Sequence, residues 1–168
     1  MQTPYDPPAA SLEMGTPIEL KKLNVWKMIF LTIITVGLYV PYWMYTRTKM
    51  LNLANEEESV SKFFTILAVS LLVLTYGFDV GSEFIKPEPG VAGIFKFIGI
   101  ASNLCALFWA LMFRSGLNSY TRAKKGDDLW SNGFFTWLFQ AFYHQYKINK
   151  ILEAQDLTNV APSQGDGG

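Results

Sequence analysis

The chain has 168 residues, of which 50% are apolar, 15% aromatic and only 17% charged, against about 25% charged in soluble domains, so it carries more apolar surface than a water-soluble domain of this size needs. Lys and Arg balance Asp and Glu at 14 each, which leaves no basic excess to attract nucleic acid. A single cysteine, Cys105, and a single histidine, His144, exclude an internal disulfide and any metal site built from cysteines or a histidine cluster, and neither a metal nor a cofactor is expected.

In chain order, residues 1–20 have neither the basic start nor the apolar run of a signal peptide, and Pro4, Pro7, Pro8 and Pro17 predict a disordered tail. A single membrane domain is expected over 21–155, with apolar segments at 25–45, 60–80, 91–113 and 129–146, and a second disordered tail over 156–168. The first segment carries Gly37 and Pro41 in its second half. Proline inside a helix removes a donor and clashes with the preceding turn, so a helix break is expected there. The second segment is uncharged from Phe63 to Phe78 and is long enough to cross a hydrocarbon core of ~30 Å. Asn55 is its expected cap, with Glu56, Glu57 and Glu58 in the first turn.

The third segment is equally long, and its one charge, Lys96, can snorkel to the surface. Gly99, Ser102, Ala106 and Ala110 lie on one of its faces and let another helix approach closely, in the same chain or in a neighbour. Asn103, next to that face, is expected to bond across helices. The loop that follows holds the basic cluster Arg122, Lys124 and Lys125, which is suited to anionic lipid or to a contact with Glu56–Glu58. Asp127 or Asp128 is the expected cap of a helix starting near Leu129. The fourth segment is interrupted by Asn132, Gln140 and His144, which leaves too short an apolar run to span.

Charge separates two topologies. If all four segments span, Lys21, Lys22, Lys27, Lys86, Lys147 and Lys150 fall on one side and Arg47, Lys49, Lys62, Arg114, Arg122, Lys124 and Lys125 on the other. Six against seven sets no orientation, contrary to the excess of basic residues that marks cytoplasmic loops. If the first and fourth segments dip in and return, Lys86 alone lies opposite the other basic residues, with Lys96 inside the membrane. The expected fold is therefore all-α and membrane-integral: a central two-helix transmembrane hairpin flanked by two re-entrant or interfacial helical segments. A four-helix transmembrane bundle is the alternative.

A short signature occurs twice. Thr35, Tyr42, Tyr45, Lys49 and Leu51 recur as Thr136, Tyr143, Tyr146, Lys150 and Leu152, all at an offset of 101 residues. On a helix, each Tyr, Tyr and Lys set forms one stripe. Rings followed by a long cation suit the headgroup layer, where the ring sits at the water boundary and the ammonium reaches phosphate. Trp26, Tyr39, Trp43 and Trp130 are further expected interface anchors.

The first copy, in its setting NVWKMIFLTIITVGLYVPYWMYTRTKMLN, resembles the opening of a bacterial membrane-protein family, domain of unknown function 4234. The shared pattern falls on Thr35, Gly37, Tyr39, Tyr42, Trp43, Lys49, Leu51 and Asn52, within residues 24–53. Residues 129–153 are similar to the closing part of longer relatives, but Leu138 and Phe142 stand where the first copy has Gly37 and Pro41. An interfacial helix is thus an alternative to a re-entrant turn in the second copy. The resemblance implies a multi-pass protein of the bacterial inner membrane and no particular activity; the charge pattern puts both termini in the cytoplasm.

No nucleophile motif or phosphate-cradling glycine loop occurs, and the apolar cores of the two spanning segments hold no carboxylate of the kind proton-coupled transporters use. The expected function is therefore non-enzymatic: helix packing and contact with membrane lipids, in particular anionic ones, as a homo-oligomer or an accessory subunit of a larger membrane complex. A small oligomeric channel or lipid transporter is the alternative. A surface enzyme using His144 and nearby tyrosines ranks last.

Overall fold

The computed structural model describes residues 22–55 and 59–160, with side chains described as far as Leu157. The described part is all-helical, without a strand: α1 Val25–Ile34, α2 Tyr39–Ala54, α3 Lys62–Phe84, α4 Pro89–Thr121 and α5 Gly133–Val160. The tail expected over 1–20, Lys21 and the expected first-turn residues Glu56–Glu58 lie outside the described residues. The helix α5 runs on to Val160, past the expected start of the second tail at 156.

Local chemistry starts and stops these helices. Asn24 opens α1 by accepting the Trp26 N–H at 2.8 Å. The helix stops at Thr35, and Val36 and Gly37 take positive φ, 49° and 89°. Glycine holds such a φ freely, whereas β-branched Val36 is strained there. Thr35 stitches the break: its hydroxyl donates to Leu31 O at 2.8 Å and accepts the Tyr39 N–H at 2.9 Å. Pro41 does not make this break. It sits buried in the first turn of α2, where helical N–H groups have no partner to lose.

Ser61, rather than the expected Asn55, caps α3 by accepting the Phe64 N–H at 3.3 Å. Asn55 instead closes α2, its side chain folding back onto Leu51 O. Asn52 joins the two helices, donating to Val60 O at 2.7 Å and accepting from Val60 N–H at 3.1 Å. Asn132, and not Asp127 or Asp128, caps α5, which begins four residues later than expected. Asp127 holds the loop instead, accepting the Lys124 N–H at 2.6 Å.

Two helices, α3 and α4, are long and apolar enough to cross a membrane, with 23 and 33 residues. At 1.5 Å per residue they measure about 34 and 50 Å. By contrast α1, with 10 residues, is too short to span. The pair α3 and α4 shares the most extensive packing of any two helices. Phe78 stacks on Phe95 at 3.6 Å, and Thr75 lies against Gly99, so the two run in opposite directions. Of the expected small-residue face, Ser102, Ala106 and Ala110 are buried and Gly99 meets Thr75. Asn103 does not bond across helices: it is exposed and donates to Gly99 O of its own helix.

The packed core lies at one end of this pair, where the last turns of α4 meet α2, the start of α3 and the second half of α5. Gly116 makes the close approach there: an added Cβ would lie 2.9 Å from both Leu51 Cδ2 and Ser59 Cβ. Leu51 can swing away but a Cβ cannot. Gly116→Leu is therefore expected to destabilise by about 3 kcal/mol, the upper range for overpacking, read as an earlier unfolding midpoint in detergent; Ser115→Leu, one exposed position earlier, serves as the control.

The second copy of the signature also contains a break. Gln140 leaves helical geometry at φ 38°, ψ −117°, which splits α5 into an arm before and an arm after it. No glycine or proline marks this site, which is why the sequence pattern left it open.

Candidate functional site

Among the described residues, buried polar side chains of α2, α4 and α5 meet where the arms following the two breaks pack on α4. Trp43 of α2 and His144 of α5 stand at equivalent positions of the repeat and pack against the same two α4 rings. The Trp43 ring centroid lies 6.1 Å from that of Trp109, edge-on, and 5.9 Å from that of Phe113. The His144 centroid lies 6.2 and 5.0 Å from the same two rings. All four side chains are fully buried.

A ladder of hydrogen bonds pairs indole, amide and hydroxyl groups buried in this core, while His144 Nδ1 is buried with no hydrogen-bond partner among the described residues. Trp43 Nε1 donates to Gln145 Oε1 at 2.8 Å. Gln145 Nε2 donates to Asn149 Oδ1 at 2.9 Å. Asn149 then holds the chain just before α1, donating to Leu23 O at 2.8 Å and accepting from Leu23 N–H at 3.2 Å. In parallel, Trp109 Nε1 donates to Thr48 Oγ1 at 3.0 Å. His144 Nε2 donates to Ala110 O at 3.0 Å, which sets its tautomer. Burial, aided by the Arg114 charge, pushes the His144 pKa down to about 3 despite that bond.

A second set of contacts clamps the loop before α5. Arg114 Nε donates to Ser131 O at 2.7 Å, and its guanidinium lies 5.1 Å above the Trp130 ring. Asn118 Oδ1 accepts the Ser131 N–H at 2.7 Å. Lys147 Nζ donates to Asp128 O at 2.7 Å; burial and the nearby Lys150 charge hold its pKa below that of an ordinary lysine.

The expected interface residues divide between two places. Trp26, Tyr42, Tyr45, Lys49 and Tyr146 are exposed, while Tyr39, Trp130, Tyr143 and Lys150 are partly buried. Trp43 is a core residue and donates inward, and His144, expected at the boundary between two tyrosines, is also sealed in the core. The two signature lysines differ in their surroundings. Lys150 lies 5.7 Å from the Tyr146 ring centroid. Lys49 lines a cleft of about 300 Å³ between α2 and the start of α3, together with Tyr45, Thr48, Asn52, Leu53, Lys62, Thr65 and Ile66.

Sequence reasoning missed Gln145, Asn149, Thr48, Arg114, Asn118 and Ser131. A signal for some of them existed. The offset of 101 also pairs Trp43 with His144 and Thr48 with Asn149, and these four are core-facing polar or aromatic positions near the repeated tyrosines. Among the described residues, no three His, Cys, Asp or Glu side chains converge on a metal position.

A family model described as domain of unknown function DUF4234 matches residues 23–154, and the chain belongs to that family. The matched region runs from Leu23, held by Asn149, to the middle of the second arm of α5, and so contains both breaks, the core and the cleft. No curated protein and no solved structure matches the chain.

Proposed function

We propose that this protein is a non-enzymatic membrane scaffold, acting through lipid contact and helix packing as a homo-oligomer or as an accessory subunit of a larger membrane complex. In this reading α3 and α4 cross the bilayer as a hairpin. The pair α1 and α2 dips in and returns, and the first arm of α5 lies at the interface. Both termini face the cytoplasm of a bacterial cell, the side that collects the basic residues.

One observation carries the reading. The most apolar windows of α3 and α4 are only 17% and 11% buried within the chain. The core helix of a soluble protein hides such a surface, whereas a membrane helix shows it to lipid. The same holds along the breaks: Phe30, Ile33 and Ile34 of α1 and Phe134, Phe135, Trp137, Leu138 and Phe139 of α5 are all exposed. The tip at Gly37 reaches Tyr76 of α3, 14 residues past Lys62, about 21 Å along that helix. Polar backbone at such depth is tolerated where protein covers it, as Tyr76 does at Gly37. The enclosure of His144 favours a structural part for it over a catalytic one.

Cysteine labelling tests the topology. In a Cys105→Ser background, Ile85→Cys is expected to react with an impermeant maleimide from outside the cell, and Lys125→Cys and Leu157→Cys only from the cytoplasmic side. Labelling of all three from one face removes the hairpin. Labelling of Lys125→Cys and Leu157→Cys on opposite faces makes α5 a spanning helix. The scaffold reading requires an assembly as well: a strictly monomeric protein in mild detergent, with no stoichiometric partner, overturns it.

A further inference from the structure

We infer that this chain is a one-sided wedge, which favours membrane curved with the leaflet that holds the core on the convex side. The inference rests on the membrane reading above and adds what the packing does to the bilayer.

Burial along the hairpin is confined to one half. The buried residues of α3 are Thr65, Ala68 and Leu72, and those of α4 begin at Ser102. From 73 to 101 no residue is buried, although Phe78 and Phe95 stack there and hold the two helices together. In this far half both helices show apolar side chains: Val73, Leu74 and Val80 on α3, and Ile94, Phe97 and Ile100 on α4. The near half carries α1, α2 and α5 as well, packed around Trp109 and Phe113.

The contacts of the two breaks set how deep these additions go. The tip of the first break meets the Tyr76 ring. Long side chains on a helix lean towards its N-terminus, so the tip stops short of the Tyr76 backbone and close to the middle of a hydrocarbon core of ~30 Å. The first arm of α5 is shallower. The loop before it is held at Arg114 through Ser131 O, and the chain after its break returns to Ala110, one turn along α4. Thr136 ties this arm to the protein, fully buried, while Phe134, Trp137 and Leu138 are exposed. Both additions thus share one leaflet with the core. A helix with its side chains is about 10–12 Å across, so the protein displaces more lipid from that leaflet, by the width of several helices, than from the other. A leaflet on the outside of a curve has the larger area and accommodates the excess. Shallow apolar insertions into one leaflet sense curvature for this reason.

The test uses the full chain in giant vesicles of dioleoyl phosphatidylcholine and dioleoyl phosphatidylglycerol, from which narrow membrane tethers are pulled. In a Cys105→Ser background, an impermeant fluorescent maleimide outside the vesicle marks Lys125→Cys molecules whose core end faces out, and Ile85→Cys molecules whose core end faces in. The outer leaflet of a tether is convex. The Lys125→Cys pool is expected to be about threefold denser in the tether than in the vesicle, relative to a lipid dye, and the Ile85→Cys pool to be depleted. Phe134→Asp/Leu138→Asp, which lifts the exposed face of the arm out of the leaflet, is expected to remove about half of the enrichment. Ile94→Ser/Phe97→Ser, an equally exposed pair in the far half, is expected to keep it. Equal densities of the two pools overturn the inference, whether the taper is too slight or a second copy fills the far half; this comparison needs neither double variant. Equal loss in the arm and far-half variants overturns it as well. The cell labelling of Ile85→Cys, Lys125→Cys and Leu157→Cys separates the two levels: the hairpin pattern without sorting rejects the wedge alone, and a failed pattern rejects the membrane reading beneath it.

Discussion

Trp43→Ala is expected to lower stability by about 5 kcal/mol, enough to leave much of the protein unfolded. Truncating a buried tryptophan costs roughly 3–5 kcal/mol through lost burial and the cavity left behind. Trp43 is fully buried against Trp109 and Phe113. A further cost arises because Gln145 Oε1 loses its donor inside the core, and an orphaned buried acceptor costs about 1–3 kcal/mol. Trp43→Phe separates the two contributions: it keeps an aromatic ring, removes the N–H, and is expected to cost about 2 kcal/mol. Adding Gln145→Leu to Trp43→Phe recovers part of that loss, because removing both partners leaves neither one buried and unpaired. Unfolding in detergent, followed by tryptophan fluorescence from the remaining tryptophans or by circular dichroism, measures all three variants. A Trp43→Ala protein as stable as the parent shows that the arms following the breaks are not held by this ladder.

Acidification is expected to unfold the same core through His144. In the folded chain its pKa is held at about 3 by burial and the Arg114 charge, against 6.5 when exposed. Between those values the unfolded chain binds a proton that the folded chain refuses, so stability falls as pH drops below 6.5 and stops falling near 3. At about 1.36 kcal/mol per unit, the loss reaches roughly 2 kcal/mol by pH 5. The structure shows why the proton is refused. Nε2 already carries a hydrogen donated to Ala110 O, and Nδ1 is buried with no hydrogen-bond partner among the described residues. A second N–H there would be a buried charge with nothing to receive it. His144→Phe preserves the ring packing on Trp109 and Phe113 and is expected to flatten the stability profile between pH 7 and 5. An unchanged slope in that variant assigns the acid sensitivity to other groups.

The two spanning-length helices were legible because periodicity and length suffice for an apolar run of twenty or more residues. The first break was legible through Gly37, since a left-handed turn in a greasy segment calls for glycine. Pro41, which looked like the breaker, only starts the helix that follows. The break at Gln140 had no such marker. Long-range packing sets it: the arm after it is held by Trp43, Ala110 and Leu23, which lie far away in sequence. The caps were misread for a related reason. Asn55, Asp127 and Asp128 have suitable side chains, but so do Ser61 and Asn132, and only the folded backbone shows which of them sits at a helix start.

By itself the sequence determined the helical class, the family, the places where apolar runs give way to charge, and the paired signature. All of these follow from composition and local pattern, which each segment carries on its own. Tertiary structure alone decided what the paired residues do. Two tyrosines and a lysine share a stripe on any helix, so the pattern does not distinguish an anchor from a wall of a cleft. Folding brings Lys49 alongside Lys62, sets Lys150 over Tyr146, and turns Trp43 and His144 inward onto one pair of rings. The outcome depends on which face of each arm meets α4, and that is fixed by pairings across about a hundred residues.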